Sequence, residues 1–385
     1  MLPADLSEDL CSLRPDRDRL CVTVEFPPGG EPLFYRSVIR SRARLTYGEA
    51  ERLEAEPEVR ESLELLGELA ADLRGRRFER GALRIETPEI EFAFDGRGGI
   101  ERAWRQSEPR AHMLVEELMI LANEAVAGLL AGRNRGTLFR VHERPDPHAI
   151  GLLLAKLADL EVPTPPAPET EHLSPADAAQ LAAAVSETVD GYVASAGRGR
   201  EAFPSLLLRS LKQARYDPRN LGHSGLASSA YCHFTSPIRR YPDLVCHRAL
   251  LREIGAADEP PPEDLPELAE HASERERDAA AVEYLADEIC LAWLLDQRLF
   301  ELGWEHEFEG EITGVIGSGL FVRFGEVFEG YVPARRLPGD YFELNPLATA
   351  LVGRRGGGTV RLGDPLLVRV EKIERYEGKI ELSVT

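Results

Sequence analysis

Apolar positions along the chain fall into three textures. In the first, Arg19–Phe26 and Leu33–Ala43 alternate or run apolar, with Pro27-Pro28-Gly29-Gly30 as turn chemistry between them. Residues 19–45 are therefore predicted to form a β-hairpin. Thr46 with Glu49 three residues later reads as a capping box, so a helix starts at Thr46. A second helix is predicted at about Glu61–Leu73. Residues 83–94, with Leu83, Ile85, Ile90, Phe92 and Phe94 apolar, read as strand. The most apolar helix covers 110–131. Leu114, Leu118, Leu121, Ala125 and Leu129 mark one face and Val115, Met119, Val126 and Leu130 another, which predicts burial nearly all round.

The second texture is proline-rich. Segments 161–175 and 255–265 read as a long loop and a linker, and the longest helix, about Pro266–Gly303, follows. From Phe308 short strands alternate with glycine turns: Glu309–Val315, Gly319–Phe324, Glu329–Pro333, Pro365–Ile373 and Lys379–Val384. Five short strands at this spacing predict a small closed barrel of the oligonucleotide-binding type. The fold class is α+β, with a larger domain over 1–304 and an OB-like β-barrel over 305–385.

With 385 residues the chain can bury a core without disulfides, and 43% hydrophobic with 29% charged residues excludes a disordered or fibrous protein. The formal net charge of −20 excludes a protein that wraps polyanions with its whole surface. No apolar run reaches the roughly 18 residues that span a membrane. Met1 to Asp16 lacks the features of a signal peptide. Cys11, Cys21, Cys232, Cys246 and Cys290 are scattered, which favours reduced thiols in a cytoplasm.

Charge is unevenly placed. Residues 203–252 hold Arg209, Lys212, Arg215, Arg219, Arg239, Arg240, Arg248 and Arg252 against Asp217 and Asp243. That is a local charge of +6, leaving −26 for the other 335 residues. Such a run is either a solvated helix face or a place where a polyanion concentrates. Within it stands Thr235-Ser236-Pro237-Ile238-Arg239-Arg240-Tyr241-Pro242-Asp243. The prolines predict a short turn at 236–241 and a helix beginning near Pro242. Backbone N–H groups and two guanidiniums would then point the same way, a costly arrangement without an anion. Arginine's planar fork suits a phosphate.

Glu116, Glu117, Asn123 and Glu124 interrupt the apolar helix. They either pair with core arginine or backbone, or orient an arginine or a sugar hydroxyl. Tyr47 is either core or a stacking platform for a base. His142, His223, His233 and His247 are dispersed, without zinc spacing, and read as ordinary hydrogen-bonding histidines. Phe321, Phe328 and Tyr331 of the barrel either stack on bases or fill its core.

Several strings resemble the ribonuclease II / ribonuclease R family: Leu208–Ala214, Gly222–Ala227, and above all His233-Phe234-Thr235-Ser236-Pro237-Ile238-Arg239-Arg240-Tyr241-Pro242-Asp243-Leu244. Leu6–Leu13, Ala43–Tyr47, Met119–Glu124 and Phe139–Glu143 add to the likeness. Gly319–Val322, Glu329–Val332 and Leu382-Ser383 resemble an S1-type RNA-binding domain, and Leu351–Gly353 with Arg361–Asp364 resemble the version in ribonuclease R.

The resemblance implies the C-terminal portion of an RNB-type catalytic domain followed by the barrel. It implies a hydrolytic 3′→5′ exoribonuclease that threads single-stranded RNA through a basic channel. Two divalent metals, Mg²⁺ for this family, would release nucleoside 5′-monophosphates. Carried over by position, Arg239 would stabilise charge on the scissile phosphate and Arg240 would hold a neighbouring one. Thr235 and Ser236 of the same string would touch the RNA. Tyr47 would stack on a terminal base, Glu116 would contact the terminal nucleotide, and Glu283 would lie near the RNA path.

The chain also departs from the family. The family's metals are held by four aspartates upstream of a Met-Leu-Pro segment, and this chain starts at Met1-Leu2-Pro3 without an equivalent cluster downstream. Aliphatic Ile85 stands where the family packs an aromatic against the terminal base. The expectation is a cytoplasmic monomer that binds RNA weakly and does not hydrolyse it. The alternatives are an incomplete exoribonuclease, from a truncated gene or misassigned start, and a genuine short RNA-binding protein without catalysis. If a strand set is missing from its catalytic domain, exposed sheet edge is also expected.

Overall fold

The computed structural model describes residues 1–85, 89–106, 109–167, 173–356 and 358–385. A π-helical turn at Asp5–Leu10 leads to β1 (Asp18–Glu25) and β2 (Leu33–Arg40), the expected antiparallel hairpin. Thr46 Oγ1 accepts from Glu49 N, and the Glu49 carboxylate accepts from Thr46 N, so the capping box opens α1 (Tyr47–Glu51). α2 (Pro57–Glu79) is longer at both ends than predicted. Pro57 presets its first turn, and Arg76 and Arg77 suit the negative end of the helix dipole.

β3 (Ile90–Phe94) and β4 (Ile100–Arg105) form a second ribbon. The strand expected over 83–94 is thus confined to its second half. Residues 83–85 lie in no strand, and 86–88 fall outside the described residues.

α3 (Pro109–Gly132) matches its prediction in length but not in burial. Its buried positions are Ala111, Glu117, Ile120, Asn123, Val126, Ala127 and Leu130, spaced mostly by three or four. Leu114, Leu118, Leu121 and Leu129 are half-buried, and Met119 is exposed. The buried stripe includes two polar side chains because each finds a partner there.

β5 (Phe139–Val141), α4 (Pro147–Asp159), α5 (Pro175–Ala196), α6 (Ala202–Ser210) and β6 (Arg215–Asp217) follow, with β5 and β6 antiparallel. The predicted loop before Pro175 is irregular at 162–167, and 168–172 lie outside the described residues. α7 (Tyr241–Glu253) starts where the prolines placed it, and α8 (Leu265–Leu302) is the long helix. No helix among the described residues is long and apolar enough to cross a membrane.

β7 (Glu307–Ile316), β8 (Gly319–Phe324) and β9 (Phe328–Pro333) precede an inserted antiparallel sheet of β10 (Phe342–Leu344), β11 (Ala350–Gly353) and β12 (Thr359–Arg361). β13 (Pro365–Glu374) and β14 (Lys379–Val384) then close the barrel, in the order β7-β8-β9-β14-β13 and back to β7. The five predicted strands are these five. The inserted sheet was not predicted, because strands of three or four residues show too little alternation.

The chain divides into two compact units: Met1–Ala82 with Ser107–Glu143 and Gln213–Arg277, and Leu83–Gln106 with Arg144–Lys212 and Asp278–Thr385. The core of the first joins α3 (Val126, Leu130), β5 (Phe139, Val141), Cys232, Phe234 and α7 (Cys246, Leu250), with Val22, Val24 and Phe34 of the hairpin packed against it. Towards its other end the ribbon leaves the cross-strand pair Leu20 and Val38 79% and 63% exposed.

The second unit shares one core between the barrel interior, α4, α5, α6 and the later turns of α8. Two close approaches shape it. A Cβ on Gly319 would sit 2.2 Å from the Val332 carbonyl oxygen, so only glycine lets β8 and β9 meet there. The Glu311 carboxylate of β7 accepts from the backbone N–H groups of Arg200, Glu201 and Ala202 at 2.9–3.0 Å, satisfying orphan donors at the start of α6. Glu311→Ala should therefore destabilise the second unit by about 1–2 kcal/mol. Glu311→Gln, which keeps one acceptor, should cost less. All three tryptophans (Trp104, Trp293, Trp304) lie in this unit, so their fluorescence during urea unfolding is the measurement.

Candidate nucleic-acid interface

Four of the residues picked out by sequence, Thr235, Ser236, Arg239 and Arg240, lie on the turn between Phe234 and α7, in the first unit. Two helices pin the segment that leads into it. Asn123 of α3 donates from Nδ2 to Tyr231 Oη at 3.0 Å, and its Oδ1 accepts from Phe234 N at 3.0 Å. His247 of α7 stacks on the Phe234 ring at 4.2 Å, with Nε2 2.8 Å from the Phe234 carbonyl oxygen. The turn closes through Arg239 N and Arg240 N, both donating to Ser236 O. Leu2 N donates to Ile238 O at 2.8 Å, tying the start of the chain to the turn.

Asp243 sits in the first turn of α7 and is fully buried. Its carboxylate accepts from Ser236 N at 2.7 Å and from Arg240 Nε and Nη2 at 2.8 Å each. The helix start therefore carries its own anion. The expectation that an external anion is needed to relieve the backbone N–H groups and both arginines is corrected for Arg240. Arg239 is exposed and makes no ion pair among the described residues. Asp217 plays a similar part nearby. It accepts from Arg219 N, and the Arg219 and Arg215 guanidiniums pair with it. Burial opposes its charge, but these donors outweigh burial and hold the carboxyl at about 2. Part of the +6 charge is thus spent inside the protein.

Beneath the turn the fold assembles what the sequence showed as scattered. His142 and His223 rings lie 5.1 Å apart, His223 and Tyr231 5.3 Å, Tyr231 and His233 5.9 Å, and His233 and Tyr216 5.6 Å. Tyr216 Oη is 2.8 Å from His233 Nδ1. Gly225 N donates to His142 Nδ1 at 3.0 Å, which makes that nitrogen an acceptor. Burial, with the charges of Arg240 and Arg140 next in order, holds His233 at about 2. Burial, then His142 and Arg140, holds His223 at about 3. Both are neutral hydrogen-bonding groups at neutral pH. Of the four histidines, three form this row and His247 stands apart against Phe234.

The polar intrusions of α3 are paired. Buried Glu117 takes the Arg77 guanidinium on both oxygens, and half-exposed Glu116 lies 3.4 Å from Arg77 Nη2. Glu124 pairs with Arg80 and accepts from Ser228 Oγ. Tyr47 is 43% exposed and stacks on His112 of α3, with centroids 3.6 Å apart at 25°. An apolar hollow of about 390 Å³ beside it is bordered by Leu45, Leu53, Leu63, Arg110 and Leu114. Tyr47 is therefore a surface ring with a backing partner and not a core residue.

The remaining predicted residues belong to the second unit. Glu283 is exposed on α8. Phe321 and Tyr331 are cross-strand partners on β8 and β9, with rings 5.4 Å apart and Phe321 38% exposed. Phe328 is fully buried against Phe324 and is core. Ile85 packs against the hydrophobic core of this unit.

The family models decide the kinship: the RNB domain matches residues 1–255 and the S1 RNA binding domain matches residues 304–385. The chain belongs to the RNB family. It is 37% identical to Ribonuclease R of Escherichia coli (strain K12) over 411 residues, covering all of this chain and 48% of that protein. It is 35% identical to Ribonuclease R of Aquifex aeolicus over 404 residues, covering all of this chain and 54% of that one. The chain thus spans about half the length of the curated relatives it matches. Mycoplasma genitalium RNase R in complex with ribose methylated single-stranded RNA superposes with a TM-score of 0.87 at 25% identity, covering all of this chain and 60% of that one.

Among the described residues no three His, Cys, Asp or Glu side chains converge into a group able to hold a metal ion. The buried carboxylates around the turn do not fit Mg²⁺, since Asp217 and Asp243 are saturated by arginine and backbone donors.

The histidine row gives a pH signature. Unfolded histidine titrates near 6.5, whereas His223 and His233 stay neutral to about 3 and 2 when folded. The unfolded chain therefore binds more protons in that window, and stability is lost as pH falls below about 6.5. The limiting slope for two groups is about 2.7 kcal/mol per pH unit. Urea midpoints should drop between pH 7.5 and 5.5, and His223→Gln with His233→Gln should flatten the drop. A flat wild-type profile would contradict it.

Proposed function

We propose that this chain is the RNA-holding part of a hydrolytic 3′→5′ exoribonuclease acting on single-stranded RNA and releasing nucleoside 5′-monophosphates. The observation that carries the reading is the basic turn 235–240: an exposed Arg239 on a bend braced by a buried carboxylate, in the string most alike to the family. In this reading Arg239 contacts the scissile phosphate, Thr235 and Ser236 border the RNA backbone, Tyr47 stacks on the terminal base and Glu116 faces the terminal nucleotide. Glu283 lies along the RNA path, and Phe321 and Tyr331 offer the barrel's stacking face. Residues 1–304 act as the RNB-type domain and 305–385 as the S1 domain. Five unbridged cysteines support a reducing cytoplasm as the place of action, and the chain works as a monomer.

Cleavage in this reading uses Mg²⁺ on carboxylates other than those described around the turn, which are committed to arginines. On its own, the 385-residue chain holds RNA without shortening it. The second reading, a non-catalytic RNA-binding protein, is favoured by the same commitment of the carboxylates.

The test is a labelled 3′-tailed RNA with the purified chain in Mg²⁺. Binding without shortening is expected, with affinity for oligo(A) above oligo(dA) because a ribose-reading site prefers the 2′-OH. Shortening that disappears in Arg239→Ala would overturn the proposal for the isolated chain. In-frame sequence upstream of Met1 encoding clustered aspartates would favour the exoribonuclease over the second reading.

A further inference from the structure

We infer that the two adjacent arginines of the basic turn have different jobs: Arg239 meets the RNA phosphate, whereas Arg240, locked to Asp243, is a positioning residue that holds the bend presenting Arg239. The inference rests on the reading of this turn as an RNA contact.

The geometry separates the two side chains. Arg240 donates from Nε and Nη2 to the two oxygens of one carboxylate, both at 2.8 Å, so one edge of its fork is consumed. That carboxylate is 0% exposed, and the Arg240 side chain is 26% exposed. A fully buried Asp243 cannot release its cation to a passing phosphate, because removing one partner leaves an uncompensated charge out of water. The same carboxylate accepts from Ser236 N at 2.7 Å, and Ser236 O accepts from Arg239 N and Arg240 N. Arg240, Asp243 and Ser236 thus form one closed loop of hydrogen bonds around the bend. The Arg239 side chain is left outside it, exposed and without an ion pair among the described residues. Tyr216 and Tyr231 feel the charge of Arg240, whereas His233 feels both arginines, so what separates the two side chains is the Arg240–Asp243 pair. Two arginines side by side in sequence therefore point their chemistry to different places.

The test uses the full chain and oligo(A), with affinity measured across salt. Each phosphate contact on a single strand contributes about 0.7 to the logarithmic salt slope. Arg239→Ala should shallow the slope by about 0.7 and weaken binding. Arg240→Lys keeps the charge but loses the fork. It should cost the same slope, and Arg239→Ala with Arg240→Lys together should bind no worse than Arg239→Ala alone. Asp243→Asn should weaken binding, although it removes a negative charge from beside the RNA site.

An unchanged slope in Arg240→Lys, additive losses in the double variant, or tighter binding by Asp243→Asn would make Arg240 itself a phosphate ligand and overturn the inference. Amide exchange at Ser236 reads the brace without RNA. Protection should be lost in Arg240→Lys and kept in Arg239→Ala; protection retained in Arg240→Lys overturns the brace. A wild-type salt slope in Arg239→Ala, with Ser236 protection lost in Arg240→Lys, would instead remove the turn from the RNA interface. The brace would then stand as structure alone, and the positioning of an RNA contact would be refuted.

Discussion

A carboxylate with no water on it has to be met by donors from every side, and Asp243 meets that requirement with one backbone N–H and one arginine fork. Those bonds fix the bend from Ser236 to Arg240 and the point at which α7 begins. Pro242 permits a helix start there, but the buried charge decides which way the bend faces. Because the anion is internal, the turn is built before any ligand arrives. A prebuilt site loses little ordering entropy on binding.

The supports of that bend come from elements far apart in sequence. Asn123 on α3 reaches Tyr231 and Phe234, 108 and 111 residues away, and His247 closes on Phe234 from the other side. A polar residue inside an apolar helix stripe is unfavourable unless both ends of its amide are used, and here they are. The neutral histidines beneath add rigidity of the same kind. Burial and neighbouring positive or imidazole groups (His142 and Arg140 for His223, Arg240 and Arg140 for His233) deny them a proton, so they serve as shape and as neutral hydrogen-bond partners.

The second unit rests on a different constraint. Its barrel is small, so β8 and β9 approach closely at Gly319, and helices α4 to α6 with part of α8 share its core. The Glu311 contact shows how a barrel strand also finishes a helix, supplying acceptors that α6 cannot provide for itself.

Much of this was legible beforehand. The hairpin, the Thr46 capping box, α3, α8, the helix start at Pro242 and five barrel strands are all written in local periodicity and caps. So was kinship with the RNB family, carried by the string around Arg239 and Arg240. What local pattern could not contain is which partner each polar group finds. Asp243 looked like one acid in a basic run, although its place three residues after Arg240 was an available signal. Glu117 and Glu116 differ by one position, yet one is buried on Arg77 and the other half-exposed, because adjacent helix residues face directions about 100° apart. The histidine row had no signal in spacing, although each member lies in a string that resembles the family, since the three come from separate segments that only packing brings together. Sequence by itself determined the elements with strong periodicity or caps, from the hairpin to the five barrel strands, and the residue types on offer. Tertiary structure decided which charges are spent inside the protein and which, like Arg239, remain for a ligand, because burial and pairing depend on neighbours distant along the chain.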